Sequence, residues 1–158
     1  MLFRSARAYA GIANCDSRLS GWYNVAKPLG EILATAGKAL ALDPDLAEAH
    51  AARGMALANS DSRAEAAAAF ERALELDPAS FDANLTFARF CVTNGDRERA
   101  TELYKRALES QPDDSQSAFL LQMMLRGMGR IDEAEKYARL GLKRAEEQLR
   151  LQIGRAHV

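Results

Sequence analysis

The sequence predicts an all-α stack of about four helical hairpins, and three observations predict it. Leu42-Asp43-Pro44, Leu76-Asp77-Pro78 and Ser110-Gln111-Pro112 set three of the four prolines 34 positions apart. Small residues and rings keep the same step. Ala39, Ala73 and Ala107 precede those prolines by five, Leu40, Leu74 and Leu108 by four, Phe70 and Tyr104 by eight, and Ala66 and Ala100 by twelve. Apolar stripes of helical period alternate with turn signals such as Asn59-Ser60-Asp61 and Asn94-Gly95. A fixed period of this length marks a stacked-repeat architecture. Small residues allow close helix crossings, a ring fills the space beyond them, and a proline closes each unit.

In chain order, Ala6 to about Arg18 reads as a first helix, with Ala8, Tyr9, Ile12, Ala13 and Cys15 on a mostly apolar stripe. A second runs from about Leu29 to Leu42. Asp43 precedes a proline and is pushed out of the helical region. Pro44 and Asp45 then suit the start of a helix reaching Asn59. Ser62-Arg63-Ala64-Glu65 has the form of a capping box for a helix to Leu76, and the run Ala66–Ala69 favours helix. Ala79 to Thr93 repeats the pattern. Asn94-Gly95 stops it, and Asp96 caps the next helix to about Ser110. Asp113 to Arg126 opens a fourth unit, Gly127-Met128-Gly129 breaks it, and Ile131 to about Gln152 closes it.

These residues make the chain resemble a tetratricopeptide repeat (TPR) protein. Gly54, Ala66, Phe70, Ala73 and Pro78 match the signature over 47–80, as do Ala88, Ala100, Tyr104, Ala107 and Pro112 over 81–114. The resemblance implies a right-handed superhelical stack with units over about 6–46, 47–80, 81–114 and 115–152. Aligned by Tyr9 and Ala13, the first unit carries seven extra residues, about two helical turns, placed in 17–29 as a lengthened helix or a folded loop. Trp22 there is either the wall of a ligand site or a plug on the first hairpin, and its bulk favours the plug. The last unit departs from the family: Gly141 replaces an alanine and no proline follows. Leu142, Leu149 and Leu151 are expected to face a further repeat.

Bulk properties narrow the function. A chain of 158 residues fits one domain with a core. Net charge is −1, so no basic excess points to nucleic acid or an anionic membrane. No apolar run approaches the roughly 20 residues of a membrane span. Two cysteines suggest neither a disulfide framework nor a zinc site, which makes a reducing, cytoplasmic setting the default. Met1-Leu2-Phe3-Arg4-Ser5 and Ile153-Gly154-Arg155-Ala156 are translatable from opposite strands of one short DNA resembling a sequencing-library adapter. Residues 1–5 and 153–158 are therefore expected to be scars, and 6–152 an internal piece of a longer protein.

Candidate chemistry is sparse. His50 has no nucleophile or metal partner spaced near it. Cys15 and Cys91 are expected as small buried fillers. Gly127-Met128-Gly129 lacks the context of a phosphate loop. The expectation is no catalysis, no metal and no cofactor. What remains is a surface, because opening helices of such stacks line a concave groove. The resemblance carries the groove to Arg7, Asn14, Arg18, Met55, Asn59, Leu85, Arg89, Phe119, Met123 and Arg126. Methionines adapt to varied partners and arginines fork onto carboxylates, so the implied partner is a peptide or protein segment of acidic character. Self-association through truncated repeat ends is a further expectation. No unit carries the Lys and Asn pair of the chaperone-tail clamp. The acidic balance and 34-residue step also count against RNA-reading relatives. Ala8 to Asp16 and Lys38 to Pro44 resemble repeat regions that follow class III adenylate/guanylate cyclase domains and winged-helix regulators in bacteria. That resemblance implies an alternative role as a regulatory or dimerising arm of a signalling protein.

Overall fold

In a computed structural model, residues 2–23 and 27–156 are described, with side chains over 5–20 and 27–153. The described residues form eight helices and no strand: α1 (Leu2–Tyr23), α2 (Leu29–Leu42), α3 (Ala47–Ala58), α4 (Arg63–Leu76), α5 (Phe81–Thr93), α6 (Arg97–Ser110), α7 (Ser115–Gly127) and α8 (Ile131–Ala156). They pair as four hairpins, and the opening helix of each later hairpin packs against the hairpin before it. Trp22 and the middle of the 17–29 insertion fall outside the described side chains. Part of that insertion is helical, because α1 runs on through Tyr23.

The hairpin ends follow from local chemistry. After α5, Gly95 adopts φ +83°, open to glycine at no steric cost, and Asp96 accepts the Arg99 N–H at 3.1 Å. Gly129 does the same after α7, with φ +76°. Asp114 and Ser80 cap α7 and α5 through side-chain oxygens. The capping box expected at Ser62 does not form. Ser62 makes no side-chain cap bond; its N–H is taken by Ser60 Oγ at 3.2 Å, while Glu65 turns to Arg53 at 3.8 Å. With no proline or turn after Gly141, nothing stops α8, which reaches 26 residues against 12 to 14 for α2 to α7.

The 34-residue ladders are core. Ala66, Ala73, Ala100 and Ala107 are 0% exposed, Phe70 1% and Tyr104 2%. Gly54 shows why the crossing needs small residues: a Cβ there would lie 2.9 Å from the Phe70 ring. Alanines line the first joint, where Ala13, Ile32 and Ala36 meet Ala52 and Ala56. Rings and leucines fill the later ones, around Phe70, Phe87, Leu103, Tyr104, Leu121 and Leu125. Ion pairs lace successive closing helices, Arg99 to Glu71 at 3.0 Å and Lys105 to Glu133 at 3.5 Å. Arg130 bonds Glu133 most closely, at 2.6 Å, and holds its carboxyl below the usual range.

Candidate functional site

The opening helices bring four of the expected groove residues together. Arg18 from α1, Met55 and Asn59 at the end of α3, and Arg89 from α5 line one cleft of about 210 Å³, with Ser17, Ala58, Thr86 and Thr93. Its apolar lining includes Phe70, from α4, and Phe90. Phe70 stacks on Phe87 with ring centroids 5.1 Å apart and meets Phe90 at 5.7 Å, within the range of favourable ring pairs. Phe70, Thr86 and Phe90 are the lining residues that sequence reasoning missed. Phe70 was legible as a repeat ring, but only the spacing of α3 and α5 shows that it reaches the cleft.

Both arginines are already positioned. Arg18 donates to Asp82 Oδ1 at 2.9 Å, tying α1 to α5 across α3. Arg89 hydrogen-bonds the Tyr104 hydroxyl; burial pushes that phenol above its ordinary pKa, with the guanidinium pulling the other way. Two fixed cations beside a ring-lined hollow suit a carboxylate next to an apolar side chain.

The other expected residues lie elsewhere. Arg7 pairs with Glu48 at 3.8 Å. Asn14 lines a second hollow with Glu48, Ser80 and Asp82, and its Oδ1 is buried without a hydrogen-bond partner. Leu85 does not line an open groove: it is 6% exposed and belongs to the core cluster with Phe70, Phe87 and Leu103. Phe119 and Met123 are 57% and 53% exposed on the last opening helix, and Arg126 is exposed near its end.

Of the candidate catalytic side chains, His50 is engaged and Cys91 is buried. His50 Nε2 hydrogen-bonds the Pro44 carbonyl at 2.8 Å. Cys91 is buried, and desolvation pushes its thiol up to about 11. Cys15, expected to be buried, is exposed on the outer face of α1. Among the described residues no three His, Cys, Asp or Glu side chains are placed to hold a metal ion. None of the described helices is long and apolar enough to cross a membrane.

Comparison with known proteins agrees with this geometry. Residues 57–124 match the family described as tetratricopeptide repeat. No curated protein sequence matches the chain. Among solved structures, MamA superposes with TM-score 0.72 at 24% identity, over 92% of this chain and 89% of its own. PilF of Pseudomonas aeruginosa gives 0.74 at 20%, over 89% and 61%. YrrB, a TPR protein described by its unusual peptide-binding site, gives 0.65 at 26%, over 86% and 66%. The fold is that of a TPR solenoid.

Proposed function

We propose that this TPR-type stack is a non-catalytic protein–protein interaction module that takes an acidic segment of a partner protein at the cleft between Arg18 and Arg89. One observation carries the reading: Met55 and Phe90 line the same hollow as two guanidinium groups, over the buried ring of Phe70. An apolar side chain of the partner enters between the rings and Met55, which adapts to its shape. A neighbouring carboxylate is taken by Arg89, or by Arg18 in competition with Asp82. The peptide-binding site in the description of YrrB supports the same class of ligand. A cytoplasmic setting belongs to this proposal.

The alternative, a regulatory arm of a cyclase or winged-helix regulator, draws on the stretches Ala8 to Asp16 and Lys38 to Pro44. Ala10, Ala13 and Ala39 within them are at most 2% exposed. Packing alone accounts for those residues, so the cleft reading is favoured.

The test is a fluorescence-anisotropy screen of acidic peptides with and without a large apolar residue. Peptides carrying both features are expected to bind, and Arg89→Glu to weaken them roughly tenfold with helicity unchanged by circular dichroism. Arg18→Glu repeats the test at the opposite wall. No binding by any such peptide, or equal affinity for all three proteins, would sink the proposal.

A further inference from the structure

Two repeat ladders run the length of the stack and end in solvent. Leu40, Leu74 and Leu108 each pack into the core, yet Leu142, one further step of 34 along, is 63% exposed. Ala10, Ala51 and Leu85 are 2%, 5% and 6% exposed, whereas Phe119 in the same place is 57% exposed. At the first two joints the next opening helix packs here: Ala49 of α3 clusters with Ala10, and Ala83 of α5 with Ala51. At the far end the uncovered face is an apolar trough of about 470 Å³ between α7 and α8, lined by Phe119, Tyr137, Ala138, Leu142 and Ala145 among others.

The opposite end carries the matching surface. Ala49, Ala52 and Ala56 bury α3 against the first hairpin, each at most 1% exposed. Their equivalents on α1 are Ala8, Gly11 and Cys15. All three are small and all three are exposed, with Ile12 beside them at 48%. The side chains that let α3 seat itself thus have small equivalents on α1 that are exposed among the described residues.

Charge fixes the register. At two of the three interior joints, a place on one closing helix pairs with a place on the next: Glu71 with Arg99 at 3.0 Å, and Lys105 with Glu133 at 3.5 Å. At the first joint the equivalent places are Gly37 and Glu65, with no such pair. The next equivalent of Glu71 and Lys105 is Arg139, whose side chain is 83% exposed. The equivalent of Arg99 and Glu133 on α2 is Glu31, also exposed. The signs are opposite, as in both interior pairs.

We propose that the α7–α8 face of one copy receives α1 and α2 of a second copy in the register of the internal joints, with Arg139 pairing with Glu31 of that copy. This contact is independent of the cleft. It joins two different surfaces, so it does not close on itself and copies add end to end.

Sedimentation velocity of the whole chain from micromolar to millimolar concentration tests it. The expected result is a mass that climbs with concentration without a dimer plateau. A constant monomer mass, or a plateau at the dimer, overturns the proposal. Arg139→Glu or Glu31→Arg alone is expected to raise the apparent dissociation constant roughly two- to fivefold, and the double exchange to restore it. Leu142→Glu should raise it about tenfold or more, by burying an unpaired carboxylate. All three positions changed by these variants are exposed in the single copy, and circular dichroism checks that each variant folds. Association unaffected by the charge exchanges would overturn the register.

Discussion

The first and second joints of the stack solve one packing problem in two ways. Where α3 meets α1 and α2, the contact is almost all alanine: Ala10, Ala13, Ala36 and Ala39 on one side, Ala49, Ala52 and Ala56 on the other. Small side chains let helices approach closely. Where α5 meets α3 and α4, Phe87 and Phe90 stand in the places of Arg53 and Ala56, and they lean on Phe70. Rings prop the helices apart, and the cleft with Arg18, Met55 and Arg89 lies along that seam. The repeat period dictates that hairpins stack. The bulk of a few side chains dictates where the stack leaves room for a ligand.

The largest effect should come from removing the prop. Phe70→Ala deletes the ring beneath Gly54 and its stacking on Phe87, and should cost about 3–5 kcal/mol in chemical denaturation. A loss below about 1 kcal/mol, the smallest class of core change, would show that the second joint does not depend on the ring. Next comes the reciprocal experiment on the alanine joint. Ala52 is 0% exposed beside Ile32 and Ala36, so Ala52→Leu should overpack it and destabilise by about 1–3 kcal/mol. If Ala52→Leu were neutral, the two joints would be equally tolerant and the contrast between them would fail.

The smallest effect is chemical. Cys15 lies exposed on the outer face of α1, while Cys91 is buried in the ring-filled core with its thiol pushed up to about 11. At neutral pH an alkylating reagent should modify Cys15 rapidly and Cys91 only as the core opens. Phe70→Ala should speed modification of Cys91 and leave Cys15 unchanged. Equal rates for both thiols in the parent chain would contradict the burial assigned to the later hairpins.

The hairpins were legible because their ends are set by local chemistry. Pro44, Pro78 and Pro112, the glycine at 95 and the caps at Asp96 and Asp114 act within a few residues of themselves. Ser62 shows the limit of local reading, since a nearer hydroxyl, Ser60, satisfied the N–H that the capping motif would have competed for. The groove was legible only in part. Repeat position gives the face of a helix, and four residues placed by it, Arg18, Met55, Asn59 and Arg89, line one cleft. It could not show that Leu85 would be buried in the core, or that Phe90 and Thr86 would line the cleft.

The amino-acid order alone determined that the chain folds as stacked helix pairs, because period, turn residues and apolar spacing are properties of neighbours along the chain. Which equivalent residues became core, cleft or open end was decided only in three dimensions. Leu108 and Leu142 have the same side chain and the same place in the repeat, yet one is 8% exposed and the other 63%. Burial depends on what packs against a residue, and that partner is supplied by a distant part of the chain, or not supplied at all.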